Sequence, residues 1–114
     1  MSMTAAIEKL KQDQKKIEDS LKELEDKWKE VEKKYSSALD EENKIHQELR
    51  QCRDSYQYSQ LELRLHPVSR RRRDLENEKQ AIERRIRGHQ EELVKIKARI
   101  KYMQPKGKLV SHKE

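Results

Sequence analysis

The stretch Leu61–Glu76, LELRLHPVSRRRRDLE, interrupts a chain that otherwise has the pattern of unbroken helix. Pro67 cannot donate a backbone hydrogen bond, and it disfavours helical geometry at the residue before it. Four consecutive arginines follow, beginning at Arg70. The position of a helix break within this stretch therefore determines how the two flanking helices can pair.

The composition limits what such helices can build. Of the 114 residues, 44% are charged and 32% are hydrophobic, whereas ordinary globular domains carry about 25% charged and about 45–50% apolar residues. So few apolar side chains cannot fill a three-dimensional core, but they can fill a linear seam between helices, because a coiled coil needs about two apolar positions in seven. The composition therefore favours a coiled coil if the apolar residues recur with a heptad period.

Apolar residues do recur with that period from Met3 to Leu63. With Ile7 counted as position a, nine heptads share one frame, and Glu and Lys fill most of the other positions. Three or four sustained heptads already indicate a coiled coil. No glycine or proline precedes Pro67. We therefore predict an all-α fold with a first helix over about residues 3–64.

A second frame begins after the proline, with Val68 and Leu75 at position d. Neither a single stutter nor a single stammer produces the offset between the two frames. We predict a break at residues 64–68 and a second helix over about residues 68–103, which ends before Pro105. Residues 1–104 are then one coiled-coil module, and residues 105–114 are a disordered basic tail.

A turn at Pro67 sets the register of a long antiparallel coiled-coil hairpin. One layer of this register pairs Glu42 with His89, which would balance two polar residues in the seam, since burying an unpaired charge is costly. The predicted intrachain seam consists of Trp28, Val31, Tyr35, Glu42, Ile45, Leu49, Ile82, Ile86, His89, Leu93, Ile96, Ile100 and Met103.

This register leaves the first 27 residues without a partner in the chain, because the second helix ends opposite Trp28. Their apolar stripe nevertheless continues, and a lone amphipathic helix is marginal in water. We predict that this N-terminal overhang pairs between chains, most simply in a homodimer, and that other helical proteins are further partners. The residues expected at this interface are Ile7, Leu10, Ile17, Leu21 and Leu24.

A second topology makes the same layers between two chains. Leu61, Leu65 and Val68 continue the second frame back across the proline. An antiparallel homodimer of long helices kinked at Pro67 is therefore the alternative to the hairpin. We favour the hairpin, because the proline and the change of frame coincide.

The arginine run is the sharpest local feature. Residues 1–66 carry 13 basic and 15 acidic side chains, whereas residues 67–114 carry 15 basic and 7 acidic ones. Arg70, Arg71, Arg72 and Arg73 lie at the predicted start of the second helix, where the helix dipole disfavours cations. They are a candidate site for an anionic partner: nucleic acid, acidic lipid or an acidic protein surface such as a microtubule. The alternative is a solubilising turn whose arginines pair with nearby carboxylates.

Catalysis and cofactor binding are not indicated. The four histidines lack metal-ligand spacing, and Cys52, the single cysteine, fits a small seam residue. No apolar run approaches the roughly 20 residues of a membrane span. We expect a non-enzymatic coiled-coil dimerisation and protein-protein interaction module. It would be a segment of a larger intracellular scaffold or cytoskeleton-associated protein, more readily cytoplasmic than nuclear, with no small-molecule substrate.

Overall fold

The computed structural model describes residues 2–104. Two α-helices of 49 residues each, α1 (Met3–Gln51) and α2 (Ser55–Met103), form a helical hairpin. No strand occurs within residues 2–104. The predicted all-α hairpin is therefore confirmed, but the predicted bounds of its helices are wrong, because the turn lies at Cys52–Asp54 and not near Pro67.

The turn is built from side-chain and backbone hydrogen bonds that the heptad pattern does not reveal. The backbone N–H of Cys52 donates to the Leu49 carbonyl at 3.3 Å as α1 ends. Asp54 then caps α2: its Oδ2 accepts from the backbone N–H of Gln57 at 3.3 Å, and its carbonyl accepts from that of Tyr58 at 2.9 Å. Asp is a preferred N-cap residue because its carboxylate satisfies a free amide of the first turn. The chain therefore reverses here.

Pro67 lies inside α2, so the predicted break at residues 64–68 is wrong. A proline in a helix interior leaves the carbonyl four residues earlier without its partner and costs about 3 kcal/mol. The carbonyl concerned belongs to Leu63, and both Leu63 and Pro67 are exposed, so water can replace the lost hydrogen bond. Leu61, Leu65 and Val68 are half-buried on the opposite side of the helix, and their packing favours a continuous α2.

The chain divides into two compact units, and both helices run through both units. Unit 2 is the segment Glu25–Arg84, which contains the turn. Its buried apolar side chains are Val31, Ala38 and Ile45 of α1 and Ile82 of α2. Ala38 and Ile45 are 0% and 1% exposed, so the centre of this seam is dry.

Within the described residues, unit 1 combines residues 2–24 with residues 85–104. Ile17, Leu21 and Leu24 of α1 are buried in it, as is Ile100 of α2. Ser2 caps α1: its hydroxyl accepts from the backbone N–H of Ala5 at 3.1 Å. The N-terminal segment is therefore packed within its own chain, which corrects the prediction that it is left over as an overhang.

Polar contacts fix the direction and register of the helices in unit 2. Residues progressively earlier in α1 contact residues progressively later in α2, so the helices run in opposite directions. The contacts are those of Glu48 with Arg64, Glu42 with Arg72, Glu32 with Lys79 and Trp28 with Glu83. The predicted pairing of Glu42 with His89 is wrong, because a turn at Cys52–Asp54 places an earlier part of α2 beside Glu42.

Candidate functional site: two ion-pair clusters in the seam

The seam of unit 2 contains two clusters of charged side chains among its apolar residues. The first consists of Glu42, Arg72 and Glu76, and we call it the arginine cluster. The second surrounds Lys79, and we call it the lysine cluster. Polar residues at seam positions of a coiled coil reduce stability but specify register, so these clusters are the residues that decide how the two helices pair.

In the arginine cluster, the guanidinium of Arg72 binds two carboxylates at once. Its Nε donates to Oε1 of Glu42 at 2.9 Å, and its Nη2 donates to Oε2 of Glu42 at 3.2 Å. Its Nη1 donates to Oε2 of Glu76 at 2.9 Å. The contact with Glu42 is bidentate, which matches the planar fork of arginine to the two carboxylate oxygens. Such a contact demands one relative position of α1 and α2.

Glu42 is the buried charge that makes this contact important. Its exposed fraction is 6%, which makes it a buried acid among the core residues. The hydrogen bonds from Arg72 lower the pKa of Glu42 below its ordinary value of 4.5, against the opposing effect of burial. The carboxylate is therefore ionised in the seam because Arg72 compensates it, and it would be a costly unpaired charge without that partner.

In the lysine cluster, Lys79 forms an ion pair with Glu32 across the helices. Its Nζ also lies 4.8 Å from the centroid of the Tyr35 ring and 5.5 Å from that of Trp28, within cation–π range. The hydrogen bond with Glu32 raises the pKa of Lys79, although partial burial opposes the shift. Lys79 is thus held as a cation between a carboxylate and two aromatic faces.

Trp28 ties the lysine cluster to a second carboxylate of α2. Its indole Nε1 donates a hydrogen bond to Oε2 of Glu83 at 3.1 Å. A buried or half-buried indole N–H needs such an acceptor. Glu32, Trp28 and Tyr35 of α1 therefore meet Lys79 and Glu83 of α2, and the spacing of these contacts agrees with the register set by Glu42 and Arg72.

The remaining predicted seam residues are at least half-buried in the described part of the chain. In unit 2 these are Val31, Ile45 and Ile82, which are buried, and Leu49, which is half-buried. In unit 1 Ile100 is buried, while those half-buried are Ile86, His89, Leu93, Ile96 and Met103. Nδ1 of His89 lies 3.0 Å from the Arg85 carbonyl, to which it donates, so this histidine is satisfied within α2 and not by Glu42.

The residues predicted for an interface between chains lie in unit 1. Ile17, Leu21 and Leu24 are buried, and Ile7 and Leu10 are half-buried. These side chains are covered by residues of the same chain. Pairing of this segment between chains remains a prediction.

The four arginines do not lie on one surface of the helix. Arg70, Arg71 and Arg73 are exposed, whereas Arg72 turns into the seam and is occupied by Glu42 and Glu76. Successive residues of an α-helix point about 100° apart, so a run of four covers all sides of the helix. The run also lies well inside α2, which begins at Ser55, and the predicted location at a helix start is wrong.

We did not predict the turn at Cys52–Asp54 from the sequence. Nor did we predict the contacts that Arg72 and Lys79 make with carboxylates of α1. The turn carries a local signal: Asp54 and Gln57 have the spacing of a capping box, in which an N-cap residue is followed three positions later by Glu or Gln. The clusters carry another, since Glu42 in the first frame and Arg72 in the second are seam charges of opposite sign. A register that pairs them centres the reversal of the chain near residue 57, which is closer to the observed turn than to Pro67.

No family model matches this sequence, and no curated protein or solved structure is significantly similar to it. Neither described helix is long and apolar enough to cross a membrane. Among residues 2–104, no group of three or more His, Cys, Asp or Glu side chains is arranged to hold a metal ion.

Proposed function

We propose that this chain is a non-enzymatic antiparallel coiled-coil module for dimerisation and protein-protein interaction, a segment of a larger intracellular scaffold or cytoskeleton-associated protein. The observation that supports the proposal most directly is the pair of charged clusters in the seam. Two independent clusters agree on one register, and charges at seam positions are a means by which coiled coils select a partner helix and its alignment.

The seam that closes the hairpin can also join two chains. If the turn at Cys52–Asp54 opens, α2 of one chain can pack on α1 of another and re-form the same ion pairs, which is domain swapping. A short hinge makes this exchange a low-cost route to a dimer. The homodimer of this proposal therefore uses the seam of the hairpin and not a separate N-terminal overhang.

Fluorescence transfer between two labelled chains tests this dimer. One population carries a donor at Glu48→Cys and the other an acceptor at Arg64→Cys, both with Cys52→Ser. Glu48 and Arg64 face each other across the helices, with 4.0 Å between their charged atoms. Populations unfolded and refolded together should show transfer at the mass of a dimer by light scattering. Populations mixed without unfolding are the control, and a monomer at all concentrations would overturn the dimer.

A second candidate function is supported by the exposed arginines. Arg70, Arg71 and Arg73 present three guanidinium groups outside the seam, whereas Arg72 binds Glu42 and Glu76 within it. An exposed basic surface attracts nucleic acid, acidic lipid or an acidic protein surface such as a microtubule. Under this alternative, the binding residues are Arg70, Arg71 and Arg73, and Arg72 is not one of them.

A further inference from the structure

The outer face of α2 in unit 2 differs from the outer face of α1 in the same unit. We define it by the residues at every seventh position, which lie opposite the seam and are all exposed: Tyr56, Leu63, Arg70, Asn77 and Arg84. Tyr56 and Leu63 are 71% and 66% exposed, although both are large apolar side chains. The face therefore has an apolar end near the turn and a basic end further along α2.

The residues beside this line are also exposed, and all but one of them lack a negative charge. His66 and Arg73 lie on one side of it, and Pro67 and Asp74 lie on the other, all of them exposed. Asp74 is the one carboxylate among these nine residues, against three arginines. A positive surface so little offset by acids carries a local potential that attracts anions.

The outer face of α1 in unit 2 provides the contrast. Its exposed residues include Lys29, Lys33 and Lys44, but also Asp26 and Asp40. Charges of both signs alternate along it, and no large apolar side chain of α1 in this unit is exposed. Alternating charge is the ordinary pattern of a solvated helix face, and such a face attracts neither sign strongly.

From this contrast we infer that the outer face of α2 docks on the surface of an anionic lipid bilayer. The inference goes beyond the proposed coiled-coil module and rests on the alternative function, for which it names the partner. Arg70, Arg73 and Arg84 would bind the phosphate and carboxylate groups of acidic lipids. Tyr56 and Leu63 would enter the interfacial region, where tyrosine is favoured and a leucine side chain is removed from water.

The apolar end of the face favours a bilayer over nucleic acid. Phosphates of RNA or DNA would account for the arginines, but the side chains of Leu63 and Pro67 have no hydrogen-bonding group and no aromatic ring for stacking. A bilayer surface accounts for both ends at once, since it presents anionic groups beside an apolar layer. Binding parallel to the surface needs no membrane-spanning segment, in agreement with the two described helices.

Cosedimentation with vesicles tests the inference on the full chain. The vesicles contain phosphatidylcholine with 30 mol% phosphatidylserine, and phosphatidylcholine vesicles are the neutral comparison. The triple variant Arg70→Gln, Arg73→Gln, Arg84→Gln should bind the acidic vesicles on the order of 100-fold more weakly, since each basic residue near such a surface contributes about fivefold. The double variant Tyr56→Ser, Leu63→Ser should lose about tenfold.

The matched control removes the same charge from the other helix. Lys29→Gln, Lys33→Gln, Lys44→Gln should weaken binding by much less than the arginine variant, because these lysines lie on the outer face of α1. Circular dichroism should show unchanged helicity in every variant. Equal losses in the two triple variants would overturn a specific face, and so would binding that ignores the Tyr56 and Leu63 changes.

A single-stranded RNA of 20 nucleotides separates this inference from the function on which it rests. Arginine-dependent binding to RNA without binding to acidic vesicles would overturn the lipid proposal and leave the anionic-surface function standing. Binding to neither probe would overturn both, while the coiled-coil module would be judged by the labelled-chain experiment alone.

Discussion

The seam side of α2 and its outer face come from the same stretch of sequence, but their side chains differ in burial and in charge pairing. Arg72 faces the seam, holds a buried carboxylate and fixes the register. Arg70 and Arg73, within two residues of it, are exposed and leave the pairing of the helices unaffected. The helical rotation of about 100° per residue separates neighbours in sequence into different environments, so a run of identical residues is not one functional site.

The same contrast applies to apolar side chains, and it gives the largest expected effect. Ile82→Ala in the seam should lower the free energy of unfolding by about 2–5 kcal/mol, because Ile82 is 4% exposed and its loss leaves a cavity. Leu63→Ala on the outer face should change it by less than about 0.5 kcal/mol. Urea denaturation followed by circular dichroism measures both. Similar losses in the two variants would mean that Leu63 is covered in solution.

Among the arginines, one substitution should stand apart. Arg72→Gln removes the charge that compensates Glu42, so the urea midpoint should fall clearly, though by less than for Ile82→Ala. Arg70→Gln and Arg73→Gln are matched controls that remove the same charge from exposed positions, and their midpoints should stay near that of the unaltered protein. Three equal midpoints would show that Arg72 makes no contact of consequence with Glu42.

The ion pair also predicts a dependence on pH. Because Arg72 holds the pKa of Glu42 below its ordinary value of 4.5, the folded state gains stability from ionised Glu42 above that value. The gain should disappear as the pH falls through the lowered pKa. The difference in urea midpoint between the unaltered protein and Glu42→Gln should therefore shrink from pH 6 to pH 2.5. A difference that stays constant over this range would contradict the ion pair.

The turn gives a smaller expected effect. Asp54→Ala removes the cap of α2 and should cost about 1 kcal/mol, the usual value for an N-cap residue. Asp40→Ala is the matched control, since Asp40 is an exposed aspartate in the middle of α1. Thermal denaturation of the two variants compares them directly. Equal stabilities would mean that Asp54 does not determine where α2 begins.

The sequence predicted a helical hairpin, because apolar periodicity is a local property of each helix. It did not predict the register, because every shift by whole heptads keeps that periodicity intact. Pro67 favours a turn when the sequence is read alone. An exposed proline inside a long helix, however, removes only about one hydrogen bond and adds some strain. The actual turn depends on the Asp54 cap, a short signal within a helix-forming stretch.

The arginine cluster shows the same limit. The second heptad frame, with Val68 and Leu75 at position d, puts Arg72 at position a, but the partner of Arg72 depends on where the chain turns. The heptad pattern shows that Glu42 is a charged seam residue that needs a partner. A turn at Pro67 assigns His89 to it, and that register is wrong. Long-range pairs such as Glu42 with Arg72 depend on where the chain reverses, which a single helix does not encode.

The chain turns at Cys52–Asp54, and Glu48 therefore faces Arg64. Paired spin labels on Cys52→Ser chains test this turn, with one pair at positions 48 and 64 and another at 48 and 84. We expect a short distance for the first pair and one roughly 30 Å longer along α2 for the second, at 1.5 Å per residue. A short distance between positions 48 and 84, with a long one between 48 and 64, would contradict it and restore a turn at Pro67.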